Sequence, residues 1–213
     1  MNIYLIRHGR QCSRLCNVNV DLSKEGYRQA ALLGERLAPE KIEAVYSSDL
    51  LRAVETAQTA NLCWKAEHRI RTGLREISFG AMEGMSDEDI AVKFADFKQK
   101  QERLEEDLPY PGGECAADVI ARAMPVFEEI AESGLKQVAV VTHGGVIRSM
   151  VSAFLGMEPK NYRLLGGSLE NCSITEVCWN PEKKRFTVER FNDYAHLEPY
   201  PELLRKNWVT AEN

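Results

Sequence analysis

Two apolar runs in this sequence end in a histidine. Ile3-Tyr4-Leu5-Ile6 breaks into Arg7-His8-Gly9-Arg10, and Val138-Ala139-Val140-Val141 into Thr142-His143-Gly144-Gly145. Two imidazoles, arginines and a carboxylate are groups suited to handling a phosphoryl group. Arginine presents a planar fork of donors that matches phosphate oxygens, and charge-assisted hydrogen bonds are roughly twice as strong as neutral ones. One Arg about 4 Å from a phosphate charge contributes on the order of 4 kcal/mol at an effective dielectric of ~20, before desolvation is subtracted. The same cations disfavour protonation of His8, and the neutral ring is the form that attacks phosphorus. A leaving alkoxide needs a proton, which a carboxylic acid can donate, and Glu76 is the candidate. Gly144 and Gly145, at a strand-to-helix turn, offer backbone N–H groups and a helix N-terminus to an anion. Where Arg and His supply the charge, a metal is not obligatory for such a transfer.

The elements that hold these groups follow from the patterning. Residues 3–6 read as a strand buried on both faces, and QVAVVT (137–142) repeats that pattern. IEAVYSS (42–48) reads as another strand and the region of HRIRTGLREI as a short extended segment. Between them, Ser23 is placed to cap a helix whose Ala30, Leu33 and Leu37 share a face and which Pro39 ends. Asp49 is placed to cap DLLRAVETAQTA, and residues 86–108 form a charged stretch of helical period. A helix from Cys115 carries Pro125, an expected kink. NCSITEVCW and FTVERF read as an antiparallel pair around NPEKKR. Strands alternating with helices predict an α/β sandwich with a mostly parallel sheet, one domain over 1–213 with a helical insertion near 86–112. Ligands of such sheets bind beyond the carboxyl ends of the strands, where Arg7-His8, Ser47-Ser48 with Arg52, Glu76 and His143 all fall.

Composition narrows the partners. A formal net charge of −5 argues against a general nucleic-acid or anionic-membrane surface, so a cationic site must be a local pocket. No stretch reads as a signal peptide or has the length of a membrane span. Six cysteines are scattered without a C-x-x-C pair, which points away from zinc and toward reduced thiols in a cytoplasmic protein. Cys12 and Cys16, near His8, are candidates for a redox role. His68 and His196 lack a partner pattern and read as structural or surface residues. The terminal segment EPYPELLRKNW carries apolar and aromatic residues suited to a contact with another molecule.

LIRHG (5–9), SSDLLRAVETA (47–57), LREISFGAMEG (74–84), PGGE (111–114) and VVTHGGVIR (140–148) resemble, in order, the motifs of the histidine phosphatase superfamily, the family of phosphoglycerate mutases and related phosphatases. The resemblance implies a three-layer α/β/α fold and catalysis without a metal or other cofactor. It implies a phosphorylated nucleophile at His8, phosphate-binding arginines at Arg7 and Arg52, an acid/base carboxylate at Glu76 and a second histidine at His143. The segment from Arg75 to Gly84 is similar to the phosphatase branch that includes α-ribazole phosphatases and fructose-bisphosphatase-like enzymes. The expected function is therefore metal-independent hydrolysis of a small phosphorylated metabolite. Phosphoglycerate mutase activity and non-catalytic binding of a phosphorylated ligand are the alternatives.

Two positions depart from the family pattern. The triplet RHG is often followed by Glu-Thr, but here by Arg10-Gln11. An Asn that commonly helps bind phosphate is replaced by Arg14, which either takes over that contact or faces a distal acidic group of the substrate. Asn17 supplies the amide if the loop is offset. Glu114 is a further candidate for substrate binding. The helix near 86–112 is either a lid over the pocket or a solvated face.

Overall fold

The computed structural model describes residues 1–208, within which six strands form one sheet. In chain order the elements are β1 (Asn2–Arg7), α1 (Lys24–Leu37), β2 (Ala44–Ser47), α2 (Leu51–Trp64), β3 (Glu67–Ile70), α3 (Asp87–Lys93), α4 (Ala95–Glu102), α5 (Ala116–Glu132), β4 (Gln137–Thr142), α6 (Gly144–Phe154), β5 (Ile174–Asn180) and β6 (Arg185–Asp193). The sheet order is β3-β2-β4-β1-β5-β6. The first four strands run parallel, while β5 is antiparallel to β1 and β6 to β5.

The unbroken apolar run of β1 has a simple cause. Ile3 and Leu5 enter one buried cluster, with Phe127 of α5 and Met150 of α6, while Tyr4 and Ile6 enter another, with Leu33 of α1 and Ala57 of α2. Both faces of the central strands are thus covered by helices, giving the three layers α/β/α, and polar alternation has no face on which to appear. Ser23 caps α1 as the sequence indicates, its Oγ accepting from Gly26 N at 3.2 Å. The loop after β1 packs directly on this helix: a Cβ at Gly9 would come within 2.8 Å of the Gly26 carbonyl oxygen.

Three expectations need correction. Asp49 does not cap α2; its carboxylate is paired with Arg75, whose Nε donates at 2.6 Å, and a two-pronged ionic contact outcompetes a cap. The 86–108 stretch is not one helix but α3 and α4, broken at Phe94, whose ring packs inward beside the core. The terminal segment is packed on its own chain, with Leu203 and Leu204 buried beside Leu33 and Leu37.

The parallel register places the chemistry. Arg7 pairs with Thr142, so His8 and His143 are each the next residue beyond adjacent strands. Ser47 pairs with Val141 on the other side of β4, bringing Ser48 to the same edge. Among the described residues no helix is long and apolar enough to cross a membrane.

Candidate active site

His8 is held from three sides at the end of β1. Its backbone N–H donates to the Thr142 carbonyl at 2.9 Å, and its own carbonyl accepts from Asn171 Nδ2 at 2.7 Å. Its Nδ1 lies 2.7 Å from the Gly9 carbonyl, which can only accept, so this nitrogen carries the ring proton and Nε2 has the free lone pair. Burial, reinforced by the charges of Arg52 and Arg7, holds the imidazole well below the usual histidine range. The ring is therefore neutral at pH 7.

Arg52, in the first turn of α2, is almost fully buried. Its Nε–H faces His8 Nε2 at 3.3 Å, Nη1 donates to the Val18 carbonyl at 3.0 Å and Nη2 to Asn17 Oδ1 at 2.7 Å. Asn17 sits at φ +48°, a left-handed conformation that Asn tolerates, and its Nδ2 donates to Glu83 at 3.0 Å. Asn17 therefore fixes the guanidinium. Arg7 anchors Nη1 on the Leu169 carbonyl, while its buried Nε has no hydrogen-bond partner among the described residues. Burial and the neighbouring Arg205 pull this guanidinium down to about 9, which leaves it charged at neutral pH.

His143 is completely buried, its ring centroid 5.1 Å from that of His8. Nε2 is 2.7 Å from Ser48 Oγ, and Nδ1 makes no hydrogen bond among the described residues. Burial, then the charge of Arg52, keeps this ring neutral as well.

Glu76 is fixed by the start of α6. Its Oε1 accepts from Gly145 N at 3.0 Å and from Ile77 N at 2.9 Å. Gly145, rather than Gly144, makes this contact; Gly144 lies beside the Arg7 guanidinium, about 3.8 Å from its Nε when a Cβ is placed there. Behind Glu76, Arg122 of α5 donates to the carbonyls of Gly73 at 2.8 Å and Glu76 at 3.1 Å. Glu114 holds that arginine with two bonds of 2.7 and 2.9 Å and accepts from Ser78 N at 2.8 Å. Glu114 lies outside the main cavity, so its effect reaches the site through Arg122 and the Glu76 loop.

A cavity of about 790 Å³ opens over Arg7, His8, Arg52 and Glu76. Its lining holds eight Arg or Lys side chains against two carboxylates, Glu76 and Asp87, so a chain with net charge −5 concentrates positive charge here. Arg14 is an exposed residue of the cavity rim. Asp87, Ile90, Phe97, Lys98 and Gln101 come from α3 and α4, which make this segment a wall of the cavity. Its acidic Glu88, Asp89 and Glu102 face solvent. Phe79 and Phe97 pack on Tyr110 at 4.8 and 5.5 Å and give one side an apolar surface.

Cys12 and Cys16 also line the cavity, but burial raises the Cys16 thiol to about 11, against thiolate chemistry. His68 is bonded to Ser47 Oγ at 2.7 Å, away from the cavity. No group of three or more His, Cys, Asp or Glu among the described residues is placed to hold a metal ion.

Several lining residues were not indicated by the sequence. Asn171, Arg163, Arg205 and Trp208 come from irregular segments distant from the motifs. Arg148 stands within VVTHGGVIR and carried a positional signal, since it follows Gly144 by one helical turn and donates to its carbonyl at 3.3 Å.

The chain matches the family described as Histidine phosphatase superfamily (branch 1) over residues 3–194. It is 32% identical to a protein of Arabidopsis thaliana named metal-independent phosphoserine phosphatase, over 92% of this chain and 82% of the relative. It is 30% identical to a glucosyl-3-phosphoglycerate phosphatase of Mycobacterium tuberculosis, over 92% of this chain and 96% of that protein. The solved structure of a mycobacterial glucosyl-3-phosphoglycerate phosphatase with VO3 superposes with a TM-score of 0.81 at 27% identity, covering 90% of this chain and 98% of the other.

Proposed function

Because the chain belongs to the histidine phosphatase superfamily (branch 1), we propose that it hydrolyses a small phosphomonoester through a phosphohistidine on His8. The observation that carries this reading is the neutral His8 ring, Nε2 unprotonated, at the floor of a cation-lined cavity with Glu76 on its wall. Arg7 and Arg52 bind the phosphoryl oxygens, and the unpartnered Nε–H of Arg7 is a donor free to do so. Ser48 Oγ lies 2.7 Å from His143 Nε2, and in the tautomer the proposal uses the hydroxyl donates there and the ring proton on Nδ1 stabilises the transferring group.

His8 Nε2 forms the bond to phosphorus as the ester P–O bond breaks. Glu76 gives its proton to the departing alkoxide. In the second half, a water loses a proton to Glu76 and attacks phosphorus, the N–P bond breaks, and inorganic phosphate leaves with the imidazole restored. Charge is handled by the two fixed guanidiniums, whose orientation is set before substrate arrives. A metal is not part of the proposal, and the name of the Arabidopsis relative agrees with that.

The names of both curated relatives point to phosphomonoesters that carry a carboxylate, phosphoserine and glucosyl-3-phosphoglycerate. A substrate of this class is proposed here too. Six free cysteines support a reducing compartment, in keeping with a cytoplasmic enzyme. The test is phosphate release from a panel of phosphomonoesters in EDTA, for wild type beside His8→Ala and Glu76→Gln. EDTA-resistant turnover lost in His8→Ala is expected. Release from none of the compounds would overturn the phosphatase reading.

A further inference from the structure

Eight cations line the cavity, more than a lone phosphomonoester requires, and their engagements differ. Arg148 gives Nη1 to the Gly166 carbonyl, and Arg163 gives Nη1 to the hydroxyls of Tyr110 and Tyr162. Arg10 and Arg205 are held in another way. Both guanidinium groups stand over the ring of Trp208, at 4.3 and 4.8 Å from its centroid. Two like charges sharing one indole repel each other, and the carboxylates of Glu170 and Asp87 offset part of the charge of Arg205. Arg10 has the Glu25 carboxylate at 3.9 Å, an oxygen that also accepts from Ser23 Oγ at 2.8 Å. Arg205 has no ion pair within 4 Å among the described residues.

The two arginines come from opposite ends of the chain, and the fold registers them with one buried side chain. Gln29 of α1 accepts from Arg10 N at 2.8 Å and donates to the Leu203 carbonyl at 2.8 Å. Trp208 Nε1 reaches the same carbonyl at 3.4 Å, and Arg205 N donates to Glu170 at 3.2 Å. The distance to the reacting centre is short. Arg205 Nη1 is 3.3 Å from Asn171 Oδ1, and the amide of Asn171 holds the His8 carbonyl. A guanidinium one side chain away from the nucleophile reaches a group only a few bonds from the phosphorus.

We infer that Arg10, Arg205 and Trp208 form a subsite for a carboxylate carried by the substrate, with the C-terminal segment supplying two of its three walls. The inference rests on the phosphatase reading and adds the residues that select the substrate. Guanidinium forks match carboxylates, and a charge-assisted bond lost from a buried site changes affinity by about 10- to 100-fold.

The test compares O-phosphoserine with O-phosphoethanolamine, the same ester without its carboxylate. The readout is the ratio of their kcat/KM values in wild type, Arg10→Gln, Arg205→Gln and Arg205→Lys. Wild type should favour phosphoserine, and each Gln variant should shrink the ratio by roughly 10-fold or more, with Arg205→Lys recovering part of it. A wild-type ratio near one, or a ratio unchanged in both Gln variants, would overturn the subsite while leaving the phosphatase reading intact. Calorimetric binding of the same two compounds to His8→Ala separates the outcomes further. If wild type released phosphate from neither ester, tighter binding of phosphoserine that disappears with Arg205→Gln would still uphold the subsite. Equal affinities would overturn it.

Discussion

The Nε–H of Arg52 lies 3.3 Å from His8 Nε2, the one ring atom of His8 that holds a free lone pair. In the proposed mechanism a cation thus marks the place where a phosphoryl oxygen sits for His8 to reach phosphorus. The position of Arg52 is not its own doing, because Asn17 and the Val18 carbonyl take its other two nitrogens. Asn17→Ala is predicted to lower kcat/KM about 10-fold, mostly through KM, since the guanidinium stays but is no longer aimed. Steady-state kinetics check this; a variant with wild-type KM would contradict it.

Gly145 is required by contact rather than by conformation. A Cβ there would collide with Glu76 Oε1 and meet Ile77 Cγ2 at 2.7 Å. Gly145→Ala should move the carboxylate and cost about 100-fold in kcat, as small misplacements of a catalytic group do. Gly144→Ala, with only the Arg7 side chain near 4 Å, is the control and should cost much less. Equal losses in the two variants would refute the assignment.

Arg122 is a positioning residue, reaching the carbonyls of Gly73 and Glu76 while Glu114 grips it. Removing it leaves Glu114 uncompensated in a half-buried place. Arg122→Gln is expected to lower kcat more than it alters KM and to reduce stability by roughly 2 kcal/mol. Denaturant unfolding and kinetics on the same preparation separate the two effects. A change in stability with kcat untouched would show a purely structural role.

The two buried imidazoles make stability depend on pH. Both His8 and His143 are depressed below the usual range, chiefly by burial. As pH falls through about 6.5 the unfolded chain takes up protons that the native rings refuse, so stability is full above that pH and declines below it. Each ring contributes roughly 1 kcal/mol of loss at pH 5.5. Denaturant titrations at pH 7.5 and 5.5 in phosphate-free buffer should show the decline, and His143→Gln should lose about 1 kcal/mol less between the two. An identical decline in that variant would contradict the account.

The gathering of His8, His143, Ser48 and Arg52 at one edge was legible because strand ends are where sequence and position coincide. Once residues 3–6 and 138–141 read as strands, parallel pairing brings His8 and His143 to neighbouring positions, and β2 adds Ser48 and Arg52. Asp49 misled because the helix it precedes is only locally legible, whereas its partner Arg75 arrives through the tertiary fold. The break at Phe94 is equally non-local, since a charged periodic stretch gives no sign that Phe94 will be drawn toward the core. Arg205 and Trp208 were hidden for a different reason. They stand in and just after a three-residue turn near the end of the described chain, and long-range contacts through Gln29 and Asn171 bring them to the loop after β1.

The central claim is that His8 carries the phosphoryl group. Rapid quenching of wild type with phosphate-labelled substrate, followed by denaturation in alkali, tests it directly. The account predicts a labelled protein whose label survives alkali, is lost in acid, maps to His8 and is missing from His8→Ala. Turnover without such a label, or label retained in His8→Ala, would contradict it.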